Sequence, residues 1–310
     1  MTRAVILNDD LKKSFLKDNP HILPILPVEH EMINFSGGEP HIKITENLDS
    51  FCINTSSVIF ITKLRTPKDL IELAVAVNAI YNIGSGADFH LLLGYLPGGR
   101  QDRICISGEA FTAKVYAKLI NGITDWDSIT CLDAHSDVMP ALLDNCINVD
   151  NKHFVDKAIE KLDLEDFTLI SPDAGANKKV LSLAQHINNK DYGYDLTVDV
   201  VRADKLRDMK TGNILETIVY ADDLTGQDCV IVDDICDGGR TFIELAKVLK
   251  AKGARNVILI VTHGIFSKGF GPVLQHVDQI VTTNSFIDLS QENEHDITII
   301  GLNESFYNFK

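Results

Sequence analysis

No apolar run in this chain approaches the roughly 18 to 20 residues that a membrane-spanning helix needs. The opening stretch MTRAVILNDD lacks the layout of a secretory leader. Together these absences lead to the expectation of a cytoplasmic protein with no membrane partner. Basic residues are also scarce: 29 lysines and arginines stand against 44 aspartates and glutamates, a formal charge of −15. That balance argues against nucleic acid, which is gripped through its phosphates by clustered basic side chains. An anionic substrate would then need a local cationic cluster, helped by divalent cations. The six cysteines (Cys52, Cys105, Cys131, Cys146, Cys229, Cys236) include no CxxC pair. Cys131, Cys229 and Cys236 lie in or beside apolar runs and read as buried, reduced thiols. No low-complexity segment or short repeat is evident.

What is present is length and rhythm. With 310 residues, 45% of them hydrophobic, the chain has room for two domains of about 150 residues or one large α/β domain. SVIFITKL reads as a strand, followed by the helical PKDLIELAVAVNAIYNIG with Pro67 in its first turn and Gly84 past its end. FHLLLGYLP, EAFTAKVYAKLING and SITCLDAH continue as strand, helix, strand. The alternation restarts with FTLISPD, GANKKVLSLAQHI, LTVDVV, CVIVDD, RTFIELAKVLKAKG, NVILIVTHG and QIVTTNS. This is the βαβ pattern of parallel sheets covered on both faces. Two doubly wound α/β domains, 1–150 and 151–310, fit better than a single sheet of about ten strands, with the boundary in the lysine-rich stretch at 150–166. Ligands of such sheets bind beyond the carboxyl ends of the strands. Five strands end there in polar clusters: LPGGRQDR, CLDAHSD, LISPDAG, IVDDICDGG and VTHGIFSKG.

The stretch CVIVDDICDGGRTFIELAKVL combines two adjacent acids with a glycine-bearing turn at a helix start. Such a turn presents free N–H groups and the positive helix end to a phosphate. The acids suit two vicinal hydroxyls of the same molecule, as in a phosphorylated ribose. Taken alone, VDD also admits the reading of an N-cap with surface acids.

The stretch resembles the ribose-phosphate motif shared by type I phosphoribosyltransferases and phosphoribosyl pyrophosphate (PRPP) synthetases. FSGGEPHIKITEN (35–47), GRQDR (99–103), LDAHSD (132–137), SPDAG (171–175) and THGIFSKG (262–269) resemble, in order, the signatures of the synthetases. The resemblance covers nearly the whole chain. It implies two domains of the type I phosphoribosyltransferase fold with the active site between them. The implied reaction transfers the β,γ-diphosphate of ATP to the C1 hydroxyl of ribose 5-phosphate, releasing AMP, with Mg²⁺ as cofactor.

The resemblance also implies the roles. Phe35 and Glu39 offer an aromatic face and an acceptor for adenine, and Arg100, Gln101, Asp102 and His135 belong to the ATP site, with Arg103 beside them. His135 and Asp173 are implied as metal ligands, although a histidine is an unusual partner for Mg²⁺, which prefers oxygen. Lys205 and Arg207 match the family's K-x-R on a flexible loop, expected here at 203–213. Asp233, Asp234, Asp237, Gly238, Gly239, Arg240 and Thr241 would hold the ribose phosphate. Family members form hexamers built from dimers, so a homo-oligomer is expected, with Phe35 and Glu39 serving a neighbouring subunit.

Three departures stand out. The loop reads D-G-G-R-T where the family usually has D-T-G-G-T, so Gly238 replaces a hydroxyl donor and Arg240 a glycine. Gly37 stands where the family usually has an aspartate. The segment after GRQDR lacks the extra basic residues tied to phosphate activation and ADP inhibition. A branch of the family pyrophosphorylates ADP-ribose in a route that rebuilds NAD from nicotinamide; losing a close hydroxyl and gaining a cation suits such a 5′-diphosphate. A non-catalytic regulator of active synthetases is a further alternative. It predicts decay at positions such as Lys205, Arg207, His135, Asp173, Asp233 and Asp234, all of which are present.

Overall fold

The structure, a computed structural model, describes residues 1–17, 26–84, 86–194, 196–207, 214–291 and 296–305. These fall into two compact units, one from Met1 to Asp150 joined by Gly301 to Ser305, the other from Asn151 to Ile300. The sequence expectation assigned everything after 150 to the second domain; residues 301–305 instead cluster with the first unit.

The first unit runs β1 (Thr2–Ile6), α1 (Asp9–Lys17), β2 (Leu26–Pro27), β3 (His30–Asn34), β4 (Pro40–Ile44), α2 (Leu48–Asn54), β5 (Ser57–Thr62), α3 (Pro67–Ile83), β6 (Asp88–Leu93), α4 (Thr112–Asn121), β7 (Ser128–Leu132), α5 (Val138–Leu142) and β8 (Cys146–Val149). Its sheet has the order β2-β1-β5-β6-β7-β8 and is parallel throughout. β3 and β4 form a separate antiparallel hairpin. Side chains alternate across the strands. Val5, Phe60, Leu91, Leu93 and Cys131 join the α3 and α4 side chains on one face, while Ala4, Ile6, Ile61, Leu92 and Leu132 meet Leu11 on the other. Phe60 anchors the larger core edge-on to Phe89 and Trp126, at 5.5 and 5.9 Å between ring centres. α3 begins and ends as its sequence signals, with a Thr66–Asp69 capping box, Pro67 in the first turn and Gly84 at a left-handed φ of 76°.

The second unit runs α6 (Lys152–Leu162), β9 (Thr168–Ser171), α7 (Asn177–Asn189), β10 (Asp199–Arg207), β11 (Ile214–Val219), β12 (Asp228–Cys236), α8 (Arg240–Ala251), β13 (Asn256–Gly264), α9 (Gly271–Leu274), β14 (Gln279–Thr283) and β15 (Ile297–Ile300). The chain then closes with α10 (Leu302–Ser305), which belongs to the first unit. The sheet order is β11-β10-β9-β12-β13-β14-β15, parallel except for the antiparallel β10–β11 edge. Leu169, Val230, Val232 and Ile258 face α6 and α7, and Ile170, Ile231 and Leu259 face α8. Both units are thus α/β with parallel sheets, as expected. No helix among the described residues is long and apolar enough to cross a membrane. All six cysteines are free, and Cys131, Cys229 and Cys236 are buried as their apolar surroundings predict.

A buried carboxylate ties α6 to α7. Asp156, 4% exposed, accepts from Tyr192 (2.6 Å) and Lys190 (2.8 Å), and His186 Nε2 lies 3.0 Å from each of its oxygens. Burial alone would raise the Asp156 carboxyl, but Lys190, Tyr192 and His186 bring it below the usual range. A depressed carboxyl stabilises the fold above the ordinary carboxylate range and loses that contribution as pH falls through its folded value. Asp156→Ala is expected to cost about 3 kcal/mol, near the low end for removing one partner of a buried pair, because Lys190 and His186 reach water. Urea unfolding at pH 7 and at acid pH below 3.8 checks this; a loss that does not shrink as the pH falls would remove the ionised carboxylate from the account.

Candidate active site

In the first unit the candidate residues lie on loops after β6 and β7. The chain past β6 turns through Gly98, at a left-handed φ of 74°, and Gly99 N–H donates to the Leu96 carbonyl. The Gln101 carbonyl accepts the Ala113 N–H, fixing this loop to the start of α4. Asp102 accepts the Ser136 hydroxyl at 2.8 Å. The GRQDR and LDAHSD motifs are therefore one clamped pair of loops. His135 lies in the same place: a Cβ on Gly99 would be 3.9 Å from its own Cβ. Arg100 and His135 are exposed, and Arg103 projects outward with its Nε 3.9 Å from Asp102. Just ahead of His135, buried Asp133 adopts a φ of 43°, its N–H held by the Val149 carbonyl at 2.7 Å. A non-glycine backbone of this kind costs on the order of 1–3 kcal/mol and persists only where its surroundings fix it.

Phe35 and Glu39 occupy the turn of the β3–β4 hairpin, closed by hydrogen bonds from Phe35 N–H to Glu39 C=O and from Gly38 N–H to Phe35 C=O. Phe35 is 59% exposed, so it is not a core aromatic. The Glu39 carboxylate folds over Gly37, 2.5 Å from where a Cβ would stand, so an aspartate at 37 would displace it.

In the second unit the acids come from a strand that outruns its sequence signal. β12 was expected to end at the two aspartates, yet it continues to Cys236, pairing with β13 as far as Gly264. Its pairing with β9 stops at Ile231. Asp233 and Asp234 therefore lie on a stretch bonded on one side only. The Asp234 N–H donates to Asp233 Oδ1 at 2.9 Å, and Asp234 is buried. Burial first, and then the charge of Asp234, pushes the Asp233 carboxyl well above the usual carboxylate range.

The loop Asp237-Gly238-Gly239 leads into α8, where Arg240 and Thr241 are the first helical residues. Gly239 is dictated by its surroundings: its φ is 74° and a Cβ would fall 2.4 Å from a Val273 methyl. Arg240 is exposed and lines an open groove of about 580 Å³ with Glu216, Thr217, Glu244 and Lys247. The residue nearest Gly238 is one that sequence reasoning did not single out, Lys268.

Lys205 was expected on a loop over 203–213. It lies on β10, whose strand runs through Arg207 because β11 pairs with it from Ala203 to Arg207. Residues 208–213 and the Arg207 side chain lie outside the described residues. Lys205 is nearly buried, with Nζ 2.7 Å from Asp173 Oδ2 and 3.4 Å from the Thr241 hydroxyl. It thus joins a candidate metal ligand to the candidate phosphate loop. Burial would raise the Asp173 carboxyl, but the Lys205 hydrogen bond and charge, with the N–H groups of Ala176 and Gly175, bring it below the usual range.

An ionised, partly exposed carboxylate that already holds a cation fits the hard-oxygen preference of Mg²⁺. Among the described residues no three His, Cys, Asp or Glu side chains form a ready-made metal cluster.

A phosphoribosyl transferase domain model matches residues 145–295. A ribose-phosphate pyrophosphokinase of Haemophilus ducreyi is 31% identical over 270 residues, covering 84% of this chain and 79% of its own. One from Vibrio cholerae is 30% identical over 267 residues, covering 83% and 78%. Among solved structures, a phosphoribosylpyrophosphate synthetase from Mycobacterium smegmatis shares the fold, with a TM-score of 0.77 and 20% identity over 98% of this chain and 94% of that one. Similarity of this extent, over a chain that carries the motifs in order, makes the protein a member of the ribose-phosphate pyrophosphokinase family.

Proposed function

We propose that the protein transfers the β,γ-diphosphate of ATP to the C1 hydroxyl of ribose 5-phosphate, giving PRPP and AMP. The observation that carries this reading is the bridge from Lys205 to both Asp173 and Thr241, in the unit that also presents the Asp233–Asp234 pair. In this reading the C1 oxygen attacks the β-phosphorus, the bond from that phosphorus to the α,β-bridging oxygen breaks so that this oxygen and its electron pair leave with AMP, and the C1 hydroxyl proton passes to solvent. Asp234 accepts hydrogen bonds from the ribose hydroxyls, and Asp233, held toward its neutral form, donates one and accepts another. The N–H groups at the start of α8 and the Thr241 hydroxyl hold the 5′-phosphate.

Lys205 supplies positive charge to the transferred group, and Arg207 is assigned with it. Arg100 and Gln101 bind the triphosphate, while Asp102 holds the Ser136 loop beside His135. Asp173 and His135 are the proposed Mg²⁺ contacts; the ion, when bound, neutralises phosphate charge. The exposed hairpin tip with Phe35 and Glu39 supports a homo-oligomer in which it serves a neighbouring subunit's adenine.

A second reading keeps the chemistry and changes the acceptor to ADP-ribose, for NAD salvage. Gly238, bare where a hydroxyl is usual and with a lysine beside it, favours it. AMP release from ATP and Mg²⁺, measured side by side with the two acceptors and checked by product mass, tests both. Faster release with ribose 5-phosphate is expected; faster release with ADP-ribose installs the second reading, and no release with either overturns the proposal.

A further inference from the structure

We propose that Lys268 contacts the outer phosphate of an acceptor that carries a 5′-diphosphate, adding affinity that a 5′-monophosphate does not gain. The inference rests on the reading that the Asp237–Thr241 loop holds the acceptor's 5′-phosphate.

Gly238 and Gly239 are glycines for different reasons. Gly239 needs its positive φ and its clearance from Val273, whereas Gly238 has no left-handed backbone that demands glycine. A Cβ at Gly238 would stand 3.7 Å from Cε and 4.0 Å from Cδ of Lys268. A bare methyl would fit in ordinary contact. The bare backbone at Gly238 leaves the Lys268 stem lying against the loop, with its charged end exposed.

The segment that carries Lys268 is fixed to the same strand end. Ile265 and Phe266 both donate their N–H groups to the Cys236 carbonyl, at 2.8 and 3.1 Å, one residue before Asp237. Gly269 N–H donates to the Phe266 carbonyl at 2.7 Å, and Phe266 itself adopts a φ of 42° while stacked 4.5 Å from Phe270. Lys268 is exposed and makes no hydrogen bond or ion pair with the described residues. Its charge is therefore unpaired among the described residues. A single phosphate is already served by the α8 N–H groups and Thr241, so a further mobile cation matches a further phosphate.

The test compares wild type, Lys268→Ala and Lys268→Arg in calorimetric binding of ADP-ribose and ribose 5-phosphate without ATP, and in steady-state AMP release with each. Losing one charge-assisted hydrogen bond is expected to weaken ADP-ribose binding about ten- to a hundredfold. Ribose 5-phosphate should weaken less than about threefold, the ATP KM should stay within about twofold, and Lys268→Arg should restore most of the ADP-ribose affinity. Equal weakening of both acceptors, or none, overturns the proposal. Wild type that binds an acceptor but releases no AMP defeats the transfer reading alone, since binding still judges Lys268. Wild type that binds neither defeats both.

Discussion

Lys205→Ala is expected to lower turnover on the order of a thousandfold, the upper end for deleting one preorganised donor aimed at developing charge. The ammonium is nearly buried, 2.7 Å from Asp173 and 3.4 Å from Thr241, so its position is fixed before any substrate arrives. Such fixed charge needs no reorganisation as the diphosphate moves. The acceptor should still bind, because the acids and the α8 N–H groups remain. AMP release at saturating substrates measures the effect; turnover within about tenfold of wild type would remove Lys205 from the transfer step. A second readout follows from Asp173. Its depressed carboxyl stabilises the protein above the ordinary carboxylate range and ceases to do so as pH falls through the folded value. The variant should therefore show a shallower loss of stability toward acid.

Asp234→Asn should cost about a hundredfold or more in kcat/KM for the acceptor while making the protein more stable at neutral pH. The functional loss follows from chemistry: an amide has one acceptor oxygen and no charge, where a carboxylate takes two charge-assisted bonds from ribose hydroxyls. The gain follows from Asp233, whose carboxyl is raised by burial and then by the charge of Asp234. An acid raised in the folded state favours the unfolded chain as pH climbs past the ordinary carboxylate range, because the unfolded group releases its proton first. Removing the neighbouring charge relieves that penalty. The unfolding midpoint should rise by about 2–4 °C at pH 7.5 and show no rise near pH 4. Wild-type acceptor kinetics, or an unchanged midpoint at pH 7.5, would show that the two acids are not coupled in this way.

Much of the fold is legible because apolar runs declare it. α3 starts at Pro67 and ends before Gly84, where backbone chemistry puts the punctuation. What is not legible depends on partners distant in sequence. Aspartate disfavours strands, so nothing local says that β12 continues past Asp234; the β13 backbone holds it there. The same holds for β10, where DKLR resembles a basic loop until β11 pairs with it. At the site, residue types and order pointed to segments that the fold places after β6, β7, β9 and β12. The Ser136–Asp102 link and the Lys268–Gly238 contact join segments more than 25 residues apart, and no spacing rule reaches that far. Phe35 shows the opposite case, an aromatic in a short apolar setting that stays on the surface.

α10 has a consequence for how the protein is made. Leu302 lies in the cluster formed by Ala4, Ile6, Leu11, Ile61, Leu92 and Leu132, and Asn303 bonds the Ser14 hydroxyl. During translation the second unit emerges as one uninterrupted piece. The first unit, although made earlier, waits with one face of its sheet incomplete until the ribosome has passed residue 302. The earlier-made unit therefore cannot complete that cluster until its successor has been synthesised.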